Sequence, residues 1–149
     1  RTEYQRIVGA YLAKTHPTMV LKMLPELFKR FLSANTFRQQ HLVSCIAPWL
    51  NVLELTEAAT QHFPSGNKTV SAAQILLSNL IYLYARNHEA ISLDSLWRCL
   101  LARPNNRRCV LEFLIFEGNR RGPKFLKYAQ EVATAIASQD TKVGGCVCR

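Results

Sequence analysis

The sequence predicts an all-α chain, and three observations carry that expectation. Apolar residues recur at three- and four-residue spacing in seven separate segments, the pattern of amphipathic helices. The breaks between those segments hold Pro, Gly, Ser and Asn, which start, stop or turn a helix. No stretch alternates apolar and polar residues in a way that reads as a strand.

Residues 3–14 form the first predicted helix, with Tyr4, Ile7, Val8, Tyr11 and Leu12 along one side. Thr15-His16-Pro17 is a connector, and Pro17 suits the first turn of the next helix. That second helix runs to about Ala34. Its stripe is Val20, Leu24, Leu27 and Phe31, flanked by Leu21 and Phe28, and Glu26 and Arg30 are spaced for an ion pair. Pro25 inside it predicts a bend. Thr36 with Gln39 reads as a capping box opening the third helix, which extends to about Leu55. Leu42, Ile46, Trp49 and Leu53 form its stripe, widened by Val43 and Leu50 on one side and by Cys45 and Val52 on the other. A helix this apolar requires cover from several neighbours, so it is the expected inner helix of a stack. Pro48 predicts a kink.

Residues 56–69 lose the helical period, and Pro64-Ser65-Gly66-Asn67 marks a turn, so an exposed, mobile loop is expected there. Ser71 and Gln74 form a second capping box, opening a helix to about Asn87. That helix is apolar nearly all round and is the expected most buried one. Ser92 reads as the cap of a short helix with Asp94 in its first turn and Leu93, Leu96, Trp97, Leu100 and Leu101 on its apolar side. Pro104-Asn105-Asn106 opens a helix to about Phe116. Gly118 and Gly122 bound a basic turn. Pro123 starts a last helix that turns Phe125, Ala129, Val132 and Ile136 inward. The expected organisation is one helical-repeat segment over residues 1–138 and a flexible tail over 139–149. Short connectors between helices that are apolar on two sides predict stacked antiparallel pairs, as in HEAT- and armadillo-like α-solenoids. No internal sequence repeat is visible, and a closed helical bundle is the competing form.

Composition narrows the function. With 149 residues, 48% hydrophobic and 19% charged, the chain is long enough and apolar enough for an ordinary folded core. It begins at Arg1 rather than Met, which is the pattern of a piece of something longer. No apolar run is long enough to span a bilayer. Among five cysteines, Cys45, Cys99 and Cys109 lie in apolar helical patterns, which fits a reducing, cytosolic setting better than a disulfide framework.

The net charge of +9 comes from 19 basic and 10 acidic residues. Arg98, Arg103, Arg107, Arg108, Arg120, Arg121, Lys124 and Lys127 concentrate it in one region. Of these, Arg107, Arg108, Arg120, Arg121 and Lys124 are the candidate partner-binding residues. Arg107-Arg108 and Arg120-Arg121 fall at opposite ends of one predicted helix and need not form one patch. A solvated basic face is the plainest reading, and an acidic protein partner comes next. Nucleic acid is unfavoured, because RNA recognition requires free aromatic platforms and Phe125 belongs to the core.

No Gly-rich phosphate loop, His-Glu metal motif or paired-carboxylate arrangement appears, so no catalytic residue, metal site or cofactor is assigned. His41 and Cys45 stand four apart on one helix, but a nucleophile also needs an orienting group and an oxyanion site. Cys146-Val147-Cys148-Arg149 has the outline of a prenylation box, but Cys148 and Arg149 are the wrong residues for it.

Pro48-Trp49-Leu50-Asn51-Val52-Leu53-Glu54-Leu55 is similar to a segment of the furry family of cell-morphogenesis proteins. The similarity extends upstream through Leu12-Ala13-Lys14-Thr15-His16-Pro17 and Leu24-Pro25-Glu26-Leu27. Downstream it takes in Leu76-Leu77-Ser78-Asn79-Leu80-Ile81-Tyr82, Trp97 and Leu111-Glu112-Phe113-Leu114, about residues 4–137 in all. The resemblance implies a large helical-repeat scaffold that supports NDR-type kinases, with their Mob partners, in polarised growth. It implies a cytoplasmic location, at the cell cortex or at sites of polarised growth. A basic α-repeat that binds nucleic acid or an anionic membrane surface is the alternative.

Overall fold

Ser71 opens the most heavily buried helix as its sequence predicts. Its hydroxyl accepts the N–H of Gln74, and the Gln74 side chain accepts the N–H of Ser71. Two of the four N–H groups left free at the helix start are thereby satisfied. In this computed structural model, which describes residues 2–60 and 62–147, that helix is the fifth of eight. They are α1 (Thr2–Thr15), α2 (Pro17–Ser33), α3 (Thr36–Val52), α4 (Leu55–Ala58), α5 (Ala72–Asn87), α6 (Asp94–Leu100), α7 (Pro104–Arg120) and α8 (Pro123–Val147). The helices pack against one another, and the all-α expectation holds.

One contiguous core runs between the helices. α3 lies against α1, α2 and α6, which is the many-sided cover its composition demands. α5 lies against α2, α4, α7 and α8 and buries Leu76, Leu77, Leu80, Ile81, Leu83 and Tyr84. The inward stripes expected for α2 and α8 are buried as read, apart from a half-buried Leu27.

Several local expectations are corrected. The cap of α3 is Asn35, whose side chain accepts the Arg38 N–H, so Thr36 is already helical. Gln39 reaches back past the cap, and its Nε2 donates to the Phe31 carbonyl at the end of α2. The buried stripe of α3 is Val43, Ile46, Ala47, Leu50 and Leu53, one position round from the predicted one, with Leu42, Trp49 and Val52 only half-buried. Leu93, not Ser92, occupies the cap position of α6 and gives no side-chain bond. α7 continues through Gly118 to Arg120, one turn beyond Phe116. α8 continues to Val147, past residue 138 where the sequence period fades, and Cys146 and Cys148 have side chains outside the described residues.

Residues 56–69 are not an unstructured loop. They hold most of α4 and most of a hairpin of β1 (His62–Ser65) and β2 (Lys68–Ser71), which is paired antiparallel from His62 opposite Ser71 to Ser65 opposite Lys68. The turn signal was right: Gly66 has φ +63° at the first of two central positions, where a tight hairpin of this kind wants glycine. The sequence does not announce these strands, which are four residues long, show no clean alternation and include Pro64.

α1 is the helix whose face departs most from expectation. Tyr4, Ile7 and Tyr11 point outward and are well exposed, while Gly9 and Ala13 face the core. Gly9 permits the contact with α3: a Cβ there would stand 1.9 Å from Trp49 Nε1. That Nε1 is buried without a hydrogen-bond partner among the described residues. Gly9→Ala is therefore expected to lower stability by about 1–3 kcal/mol, since the ring must shift. Trp49→Phe is expected to be nearly neutral, because losing an unpaired buried donor offsets the lost contact area. Urea melts of both variants check the pair. A large loss on Trp49→Phe would mean that the indole N–H does find a partner.

Candidate protein-docking surface

α7 gathers the predicted basic residues. Pro104 fits its first position, where a missing N–H costs nothing. Asn106, two residues on, is fully buried and supports the whole corner. Its Oδ1 accepts the Leu55 N–H at 2.8 Å, and its Nδ2 donates to the carbonyls of Leu53 (2.8 Å) and Leu100 (2.9 Å). These are end groups of α3, α4 and α6 that have no partner within their own helices. Beside it, Arg103 donates to the Asn51 carbonyl and pairs with Glu54. The segment Asn51–Leu55 is thus held by the first turn of α7 and the residue before it.

The five candidate residues separate into different environments. Arg108 is exposed and lies 4.0 Å from Glu112 on the same helix, a contact of little energetic weight. Arg107 is half-buried in the first turns, and Lys124 is exposed in the first turn of α8. Arg120 and Arg121 turn back on the carboxylate of Glu117. That carboxylate is buried and accepts from Arg120 Nη2 at 2.6 Å and Arg121 Nε at 2.8 Å. Arg121 also donates to Ser78 Oγ at 2.9 Å and lies over the rings of Phe113 and Phe125. Burial pushes the Glu117 carboxyl up, but the hydrogen bonds and charges of Arg121 and Arg120 outweigh it, so its pKa falls below the usual glutamate value. Arg121 belongs to the packing between α5, α7 and α8.

Between the basic ends of α7 stand two side chains that sequence reasoning did not single out. Ile115 and Phe116 are 68% and 67% exposed. A shallow depression of about 690 Å³ lies along them, lined by Glu112, Ile115, Phe116, Asn119 and Arg120. A second groove of about 460 Å³ shares Phe116 and reaches Cys109, Phe113 and His62. One signal was available: Leu111 and Phe113-Leu114-Ile115-Phe116 supply more apolar positions than one helix face can bury.

The surface offers little toward chemistry. His41 Nε2 and Cys45 Sγ approach to 3.7 Å, but no third group orients them among the described residues. Burial pushes the Cys99 and Cys109 thiols up, away from the reactive thiolate. No cluster of ligating side chains suited to a metal ion occurs among the described residues. Phe125 and Tyr128 pack edge-on against Tyr82, with ring centres 5.7 Å apart in each case, and so are not free to stack bases. No described helix is long and apolar enough to cross a membrane.

The described chain is a predominantly helical fold whose exposed features on α7 are apolar side chains among charged ones. The chain belongs to the cell morphogenesis central region family, a domain of furry-family proteins, whose model matches residues 1–142. No solved structure matches it.

Proposed function

We propose that the chain is a non-catalytic scaffold segment supporting NDR-type kinase signalling in cell polarity and morphogenesis, in the cytoplasm at the cortex or at sites of polarised growth. The match to the cell-morphogenesis family carries this reading. The exposed Ile115 and Phe116, which line a depression with Glu112, Asn119 and Arg120, support a protein partner, with a kinase and its Mob subunit as the candidates. The outward stripe Tyr4, Ile7 and Tyr11 on α1 supports an open α-solenoid stack over a closed bundle, which has no use for apolar outer residues.

The test is binding of the purified chain to an NDR-type kinase with its Mob subunit, and to random RNA. Arg107→Glu/Arg108→Glu and Lys124→Glu/Lys127→Glu are the informative reversals, because Arg120 and Arg121 serve the fold. Each is expected to weaken kinase–Mob binding by about tenfold, chiefly through the on-rate. Tight RNA binding that both reversals abolish, with no kinase binding by the parent, would replace this reading with the nucleic-acid one. Absence of both interactions would reduce the segment to a spacer.

A further inference from the structure

We infer that the cleft at the corner between α2 and α3 is a docking site for an acidic segment of a partner protein that carries an aromatic or aliphatic side chain among its carboxylates. The cleft holds about 600 Å³ and is lined by Arg30, Ala34, Phe37, Arg38, His41 and Leu42. Its apolar floor is Ala34 and Leu42, both half-buried. Phe37 stands at its edge with 84% of its surface exposed, the highest value among the large hydrophobic side chains described. A lone exposed apolar residue is ordinary on any protein. This one borders a concavity whose other polar walls are Arg30, Arg38 and His41.

The charges around it are poorly compensated. Arg30 has Glu26 at 3.8 Å, with both side chains mostly in water, so the pair holds Arg30 weakly. Arg38 makes no ion pair among the described residues; its backbone N–H, not its guanidinium, bonds the Asn35 cap. His41 faces Cys45 rather than a carboxylate. An apolar floor ringed by Arg30, Arg38 and His41 is complemented by carboxylates on either side of an apolar anchor. A single ring at the edge of a cleft is not the row of stacking platforms that single-stranded nucleic acid uses. The site lies on α2 and α3, apart from the α7 surface, and it stands independently of the kinase reading.

Fluorescence anisotropy with a short labelled peptide alternating Glu and Phe tests the inference on the whole chain. The parent is expected to bind it, and to bind versions with Phe changed to Ser or Glu changed to Lys at least about tenfold more weakly. Phe37→Ser and Arg38→Glu are each expected to weaken binding about tenfold while leaving the melting temperature unchanged, because both side chains project into water. Arg107→Glu/Arg108→Glu is expected to bind the peptide like the parent, which separates this site from the α7 surface. Three results would overturn the inference. One is equal binding by the parent and Phe37→Ser. Another is equal binding of the Phe and Ser peptides, which would leave charge alone. The third is tighter binding to random RNA or to phosphatidylserine-containing vesicles that the same substitutions abolish.

Discussion

Replacing Asn106 by alanine is expected to lower the unfolding free energy by about 3–5 kcal/mol, the upper range for one substitution. The side chain is small and the lost apolar contact is slight. What matters is what it leaves behind. The Leu55 N–H and the carbonyls of Leu53 and Leu100 all depend on this one amide. Each buried group left unpaired costs about 1–3 kcal/mol, less whatever an entering water recovers. Asn106→Asp sharpens the test, since a carboxylate set against the Leu53 and Leu100 carbonyls has no proton to give them. It is expected to be at least as damaging as alanine despite its matching shape. Asn105 sits one residue earlier and is exposed, so Asn105→Ala is expected to change stability by under about 0.5 kcal/mol. Urea denaturation of the three variants measures this. Similar losses at 105 and 106 would mean that the junction is not held by the Asn106 side chain.

Asn106 also marks where the sequence stops being legible. Its placement in the first turn of a helix is evident from Pro104, but nothing local says that it meets Leu53 and Leu55 some fifty residues earlier. Local signals were read well where the partner lies within a turn: the Ser71 and Gln74 box, Pro17, Pro104 and Pro123 at helix starts, and Gly66 in a tight turn. They failed where two adjacent residues are chemically equivalent. Asn35 and Thr36 both make good caps, and only the backbone decides between them. They failed again on α1, where the larger apolar side chains marked the outward face and a glycine marked the inward one. Close approach of two helices needs a small residue, and a small residue carries little hydrophobic signal. The proposed docking surfaces are the least legible, because Phe37, Ile115 and Phe116 look like core residues in the sequence and the fold leaves them exposed.

Arg121→Glu is expected to cost about 3–5 kcal/mol, although a run of basic residues gives the position the look of a free surface. The substitution removes the better-buried of the two cations that hold a buried carboxylate and sets a second negative charge beside it. It also abolishes the bond to Ser78 and the cation–π contacts with Phe113 and Phe125. Arg120 remains, and its side chain is more than half exposed, so it compensates only in part. Arg108→Glu is the matched control, with the same change of charge in an exposed setting, and is expected to stay within about 0.5 kcal/mol of the parent. The pH dependence separates an ion pair from plain packing. The Glu117 pKa is lower folded than unfolded, so the stability it contributes is fully present above the ordinary glutamate value of about 4.3. That stability is lost as pH falls through the ordinary value toward the lowered one. Glu117→Gln is therefore expected to be clearly less stable than the parent at neutral pH, with the gap narrowing below about pH 4. A gap that stays constant from neutral to acid would assign the role of Glu117 to shape rather than charge. A surface-like result for Arg121→Glu would return Arg121 to the docking face.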